Sequence, residues 1–150
     1  MICMAKLKVY LDICCFNRPF DDQIPMRIRL ETEAKLYIQR AIYEKKLALA
    51  WSYMLEYENS NSPYEERANA ILLWKDLAEM QCPSADDVLA HGKELMKLGI
   101  KPCDALHIAC ALKCGCDYFI TTDKLLLNKK VANIKIANPI DFVTETEVDV

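Results

Sequence analysis

Residues 101–123, with the sequence KPCDALHIACALKCGCDYFITTD, carry the strongest structural signal in the chain. Their first half predicts a helix over Asp104–Cys114, which Gly115 then ends. The residues that recur there at helical spacing are Ala105, Ile108, Ala109 and Leu112. Tyr118–Thr121 follows as a buried strand, and Asp123 comes just after it. A helix that leads directly into a strand with an acidic turn is typical of an α/β fold.

The rest of the chain repeats this alternation. The predicted strands are Leu7–Leu11, Leu47–Trp51 and Ile134–Ile136. Two long helices are predicted over Met26–Lys46 and Tyr64–Glu79. Three further helical segments are a brief one that ends at Glu58, one that Ser84 caps and that ends near Gly99, and a short one after Asp123. Met26–Lys46 is expected to bury Leu30, Ala34, Tyr37, Ile38 and Ala41. Cys14–Pro25 is predicted to be a loop, and an acidic tail from about Thr144 is expected to fray. The pattern predicts a single α/β domain over residues 1–150 with a mainly parallel sheet.

The composition of the chain excludes some classes of function. The chain has 150 residues, a net charge of −3 and three glycines, so it contains no glycine-rich phosphate loop and is not a strongly basic nucleic-acid-binding domain. Its first 50 residues carry nine basic and six acidic groups, a local charge of +3. The eight cysteines form no C-x-x-C pair, and the sequence shows neither a secretory signal nor an apolar run of about 20 residues. We therefore expect a cytoplasmic protein with reduced thiols and no membrane association.

Three acidic residues fall where an α/β sheet places its ligands. Asp12 ends the first predicted strand, Asp123 follows a later one, and Asp104 lies in the first turn of its helix. Ligands bind beyond the carboxyl ends of parallel strands. Carboxylates gathered there repel each other unless a hard divalent cation neutralises them. Each acid also has a local explanation, since aspartates stabilise helix starts and cap loops.

Four ordered blocks resemble the motif blocks of PIN domains. They are YLD at 10–12, SYMLEYE at 52–58, KPCDALHIACA at 101–111 and FITTD at 119–123. The resemblance extends from Val9 to about Phe142. It implies a PIN-like three-layer α/β/α sandwich around a central, mainly parallel sheet. It also implies a metal-dependent ribonuclease, because many PIN domains cut RNA and some are VapC-type toxins of toxin–antitoxin pairs.

The resemblance also implies the site residues. Asp12, Glu58, Asp104 and Asp123 would be the catalytic acids and would hold one or two Mg²⁺ or Mn²⁺ ions. Glu58 is preferred to Glu56 because of its distance from Ser52. Supporting polar residues would be Thr121, Thr122 and Asn17, the last because Ile13 and Cys14 stand where the family often has a small polar residue or asparagine.

RNA and a second protein are the implied partners. Arg18, Arg27 and Lys124 are the candidate phosphate contacts, although long basic side chains are usually just solvated. A toxin would have an antitoxin that blocks the acidic cleft, and homodimers are common in the family. His107 lies one turn after Asp104, and a structural role is the simpler interpretation for it.

Other functions remain to be weighed against the nuclease. A response-regulator receiver needs an acidic pair after its first strand, and a haloacid-dehalogenase-type phosphatase needs D-x-D there, whereas Asp12 is followed by Ile13 and Cys14. The serious alternative is a catalytically weak or inactive PIN-like module that binds RNA or protein. A metal titration separates it from the nuclease, because only the nuclease requires a divalent ion.

Overall fold

A five-stranded sheet forms the centre of the computed structural model, which describes residues 6–146. The strands are β1 (Lys8–Leu11), β2 (Ala48–Ser52), β3 (Met80–Cys82), β4 (Tyr118–Ile120) and β5 (Lys135–Ala137). Their order in the sheet is β3-β2-β1-β4-β5, and every neighbouring pair is parallel. Parallel strands require crossover connections, which the helices provide. The predicted mainly parallel sheet is therefore confirmed.

Nine helices surround the sheet in the part of the chain between residues 6 and 146. They are α1 (Ile13–Asn17), α2 (Met26–Tyr43), α3 (Tyr53–Ser60), α4 (Glu65–Leu72), α5 (Trp74–Leu77), α6 (Asp86–Met96), α7 (Pro102–Lys113), α8 (Lys124–Leu127) and α9 (Pro139–Thr146). Helices α6 and α7 pack together, and so do α2 and α9, which gives the layers of an α/β/α sandwich. None of these helices is both long and apolar enough to cross a membrane.

The chain changes direction across the sheet at β1. From β1 it passes through β2 to β3 on one side, and β4 and β5 are then added on the other side. Leu11 pairs with Ile120, and the backbone N–H of Asp12 donates to the carbonyl of Ile120 at 2.9 Å. The carboxyl ends of β1 and β4 therefore meet at a topological switch point, where α/β folds bind their ligands.

The segment predicted as a loop, Cys14–Pro25, is largely helical. Helix α1 begins directly after Asp12, whose Oδ1 accepts a hydrogen bond from the backbone N–H of Ile13 at 2.8 Å. A 3₁₀ turn follows at Arg18–Phe20. The loop prediction holds for residues 21–25 and was wrong for residues 14–20. A five-residue helix is too short for periodicity to reveal, and its stability comes from the burial of Cys15 and Phe16.

The predicted helix Tyr64–Glu79 is also divided differently. It consists of α4 and α5, and the edge strand β3 follows directly. Strand β3 was not predicted because a three-residue strand shows no alternation, and its pairing with β2 joins residues about 30 positions apart. Ser84 does not cap α6, whose N-cap is Ala85. Residues 144–146 belong to α9, and the remainder of the predicted acidic tail, 147–150, lies outside the described residues.

Helix α2 buries only part of the predicted face: Ile38 and Ala41 are buried as expected. Leu30 and Tyr37 are exposed, whereas Glu31, Lys35 and Gln39 are buried. The hydrophobic pattern failed here because tertiary partners stabilise polar residues on the inner face. Glu31, for example, is held by Arg18 of the 3₁₀ turn.

Candidate functional site

Asp12 is buried at the carboxyl end of β1. Besides capping α1 with Oδ1, it accepts a hydrogen bond at Oδ2 from Thr121 Oγ1 at 2.9 Å. Burial raises the pKa of this carboxyl, and the hydrogen bond from Thr121 acts in the opposite direction. The contacts that Asp12 makes in the protein therefore compensate only partly for the hydration that its carboxylate loses on burial.

Thr121 connects Asp12 with the second strand-end acid. Its Oγ1 accepts a hydrogen bond from the backbone N–H of Asp123 at 3.2 Å while donating to Asp12. Asp123 caps α8, because its Oδ1 accepts from the N–H groups of Leu125 and Leu126. The capping role expected from the sequence and a position at the sheet edge are thus compatible in the same residue.

Cys14 occupies the space beside Asp12 where a polar neighbour was expected. Its Sγ lies 3.5 Å from Asp12 Oδ2 and 3.5 Å from Thr121 Oγ1, and it accepts from the N–H of Thr122 at 3.4 Å. Asn17 instead donates to the carbonyl of Ile13 within its own helical turn. The structure therefore places Cys14, rather than Asn17, in contact with the first acid.

Asp104 lies in the first turn of α7, half-buried, and accepts no hydrogen bond from any residue in the described range. Burial and the negative charges of Asp12 and Asp123, with a smaller contribution from Glu58, raise its pKa to about 6. Like charges shift a pKa in this way only when they are close together with little water between them. The structure thus brings the four predicted acids within electrostatic reach of one another.

Glu58 is held by a buried hydrogen-bonded chain. Its Oε1 accepts from His107 Nε2 at 2.8 Å, since a carboxylate can only accept. His107 Nδ1 shares a hydrogen bond with the Tyr10 hydroxyl at 2.5 Å, and that hydroxyl also bonds Ser52 Oγ at 2.5 Å. Glu56, the other candidate, instead pairs with Lys75 on the surface. The two glutamates therefore differ in environment, because buried side chains orient Glu58 whereas Glu56 lies on the surface.

This chain of hydrogen bonds was missed in the sequence. Its signal was present in the spacing, because Tyr10 precedes Asp12 by two residues and His107 follows Asp104 by three. Burial opposes protonation of His107, but the hydrogen bond to Glu58 and the charges of Asp12 and Asp104 raise its pKa overall. The neighbouring carboxylates therefore favour the protonated form of His107.

Replacing Tyr10 with phenylalanine is expected to lower the free energy of unfolding by about 1–3 kcal/mol, because buried His107 Nδ1 loses its partner. The stacking of ring 10 on Phe119, with centroids 5.2 Å apart, is retained. Urea denaturation measures the change, with the exposed Tyr43→Phe as the matched control. A loss no larger than that of the control would show that the Tyr10 hydroxyl is not needed for stability.

The three predicted phosphate contacts have different environments. Arg18 and Arg27 both pair with buried Glu31, at 3.0 and 3.5 Å, so their guanidinium groups have an internal partner. Lys124 is exposed and follows Asp123 directly. Lys101 and Lys129, which the sequence did not indicate as site residues, line a cavity of about 300 Å³ together with Asp104 and Asp123.

The donor atoms at this site suit a hard divalent cation. Four carboxylates concentrate negative charge at the site, and oxygen is the ligand atom that Mg²⁺ and Mn²⁺ prefer. Within residues 6–146, no three His, Cys, Asp or Glu side chains are grouped closely enough to hold a metal ion. Magnesium often takes only one or two protein carboxylates and keeps several waters. The residues therefore fit such an ion by charge and donor type, without a preformed cage.

Comparison with known proteins supports the fold. No family model matches the chain, and no curated protein matches it. It is similar to a solved structure described as VapBC2 from Rickettsia felis bound to a DNA fragment from their promoter. The two chains are 17% identical with a TM-score of 0.54, and the match covers 88% of this chain and 98% of the other. The α/β/α fold predicted from the resemblance to PIN domains is therefore confirmed.

Proposed function

We propose that this protein is a divalent-metal-dependent endoribonuclease that hydrolyses RNA phosphodiester bonds. The observation that carries the proposal is the convergence of the acids at one edge of the sheet, where Thr121 bonds both Asp12 and the backbone of Asp123, and Asp123 lines one cavity with Asp104. The raised pKa of Asp104 is consistent with these neighbouring negative charges. Folding concentrates this charge at the switch point of the sheet, where binding sites form. If all four acids had only a structural role, nothing would offset the repulsion between their negative charges.

Each acid has an assigned part. Asp12, Glu58, Asp104 and Asp123 would hold one or two Mg²⁺ or Mn²⁺ ions. When bound, such an ion activates water and neutralises charge on the phosphate and the leaving oxygen. Thr121 orients Asp12, and His107 orients Glu58.

Basic side chains beside the acids would bind the RNA backbone. Lys101 and Lys129 line the cavity that contains Asp104 and Asp123, and Lys124 lies next to them in sequence. Lysines bind phosphate as point charges, without reading sequence. Arg18 and Arg27 would join them only if their pairing with Glu31 is broken, so we assign them a lesser part.

A protein partner is part of this proposal. The similar solved structure is named as a VapBC pair bound to promoter DNA. We infer that this chain is the toxin of a toxin–antitoxin pair in the cytoplasm, with an antitoxin that covers the acidic site. Self-association into a homodimer is compatible with that role.

One observation favours a second function. The absence of a preformed three-ligand group within residues 6–146, together with Ile13 and Cys14 after the first acid, suits a module that binds RNA or protein without cutting it. Such a module would bind its partner equally well with and without divalent ions.

The deciding experiment incubates the purified protein with a pool of single-stranded and structured RNA, in Mg²⁺, in Mn²⁺ and in EDTA. We expect cleavage that EDTA abolishes and that Asp123→Asn slows by about tenfold or more, since the variant keeps the cap but loses a charged ligand. The exposed Asp22→Asn is the matched control. Cleavage that persists in EDTA would contradict the metal-dependent mechanism, and divalent-independent binding without cleavage would favour the module.

A further inference from the structure

A second cavity lies between α2, the segment of α1 and the 3₁₀ turn, and helices α4 and α5, and none of the four acids lines it. Its volume is about 150 Å³, and its apolar walls include Phe16, Phe20, Ile71 and Trp74. Two polar side chains of α2, Lys35 and Gln39, also line it. A cavity of this size holds a molecule about as large as benzene.

Lys35 is a buried amine without an acidic partner. Its side chain leaves the residue only 3% exposed, and its Nζ lies 5.5 Å from the centroid of the Phe16 ring. No carboxylate within residues 6–146 forms an ion pair with it. The titratable group that acts on it is Cys15 of α1, a thiol that burial keeps neutral by raising its pKa well above the usual range. An unpaired buried cation of this kind is costly to maintain.

Gln39 adds a buried donor that lacks a hydrogen-bond partner among the described residues. It lies one helical turn after Lys35, so both side chains are on the same face of α2. Its Nε2 is buried and has no hydrogen-bond partner in the described structure. Buried N–H groups are nearly always paired, because leaving one unpaired costs most of its lost hydration. An amine that forms no ion pair with the described residues and an unpaired buried amide donor line one cavity, which indicates a site for an acceptor.

We propose that this cavity binds a small organic monocarboxylate, with the carboxylate on Lys35 and Gln39 and the apolar body against the aromatic walls. The charged amine of Lys35 and the amide N–H of Gln39 both donate, so together they suit an oxygen acceptor. The aromatic walls favour a ligand with an apolar body over inorganic phosphate or chloride. This inference does not depend on the proposed nuclease activity.

Protonation of Lys35 predicts how the affinity changes with pH. Burial lowers the pKa of Lys35 to about 7, so the free site is mostly charged at pH 6 and mostly neutral at pH 8. Because a carboxylate binds the charged form better, benzoate is expected to bind about tenfold more weakly at pH 8 than at pH 6.

The test titrates the full chain with benzoate and with isobutyrate by calorimetry at both pH values, using benzamide as the uncharged comparison. Lys35→Met and Gln39→Met are expected to lose carboxylate binding, and the exposed Lys130→Met is expected to retain it. Absence of binding to either acid, or unchanged binding in Lys35→Met, would overturn the proposal. If a capped glutamate peptide binds more tightly than benzoate, the carboxylate belongs to a protein segment and not to a free small molecule, and the proposal is overturned.

A melting curve establishes that Lys35→Met is folded. The variant is expected to melt at a higher temperature than the wild type at pH 7 and below, because the folded state no longer buries an ammonium group. That gain should shrink as pH rises from 7 towards 10, where the lysine is neutral in both states. A stable Lys35→Met that has lost benzoate binding separates a binding role from a structural one.

Discussion

Replacing Asp104 with asparagine is expected to slow metal-dependent RNA cleavage by about 100-fold or more, and also to stabilise the folded protein in metal-free buffer. Both effects have one cause. Asp104 is brought towards Asp12 and Asp123 on folding, and burial together with their charges raises its pKa to about 6. Its charged form is therefore less favourable in the folded state than in the unfolded chain.

The sign of the pH dependence follows from this raised pKa. The destabilisation is fully present above the folded pKa of about 6. It disappears as pH falls below about 3.9, the value for an unfolded aspartate. Since Asp104 is half exposed, solvent screening reduces the expected gain of Asp104→Asn at pH 8 to about 1 kcal/mol.

Urea denaturation of the wild type and Asp104→Asn at pH 8 and pH 4, without metal, measures this gain. Added Mg²⁺ should then stabilise the wild type more than the variant, since binding to the folded state alone shifts its stability. Asp86→Asn is the matched control, because Asp86 occupies the first turn of α6 and is exposed. If Asp104→Asn is instead destabilising at pH 8, the favourable interaction of Asp104 with the start of α7 exceeds the repulsion.

The parts of the fold that periodicity encodes were predictable. The α7 helix, its end at Gly115 with φ of 72°, and the strand β4 all follow from local spacing within residues 101–123. The acids at the ends of β1 and β4 were also predictable, because parallel strands deliver their carboxyl ends to one edge. Their mutual effect on Asp104 agrees with that expectation, whereas their roles in binding metal and cutting RNA stay predictions.

The features that could not be predicted depend on distant partners. Tyr10 and His107 are 97 residues apart, so spacing places each of them near an acid but cannot pair the two side chains with each other. The inner face of α2 was predicted only in part for the same reason. Glu31 is buried because Arg18 and Asn138 are brought to it by other elements, and hydrophobicity alone cannot anticipate such pairing.

Glu31→Gln is expected to lower the free energy of unfolding by about 3 kcal/mol, the cost of breaking a buried ion pair by removing one partner. Glu31 is fully buried, and Oε1 accepts from Arg18 Nε at 3.1 Å. Its Oε2 accepts from Asn138 Nδ2 at 2.5 Å, while the Asn138 Oδ1 accepts from the N–H of Ile140 at the start of α9. A glutamine cannot serve both partners, because one of its two terminal groups is a donor.

The stability of Glu31→Gln also decides what is expected of its RNA affinity. Chemical denaturation of Glu31→Gln is compared with that of Glu33→Gln, which lies on the exposed face of the same helix. We expect only the first to lose stability, because Glu31 joins α2 to the 3₁₀ turn and to α9. A change within about 0.5 kcal/mol of the control would mean that these contacts give little net stability. In that case Arg18 and Arg27 would be available to phosphate at small cost, and RNA affinity should rise in Glu31→Gln at low salt.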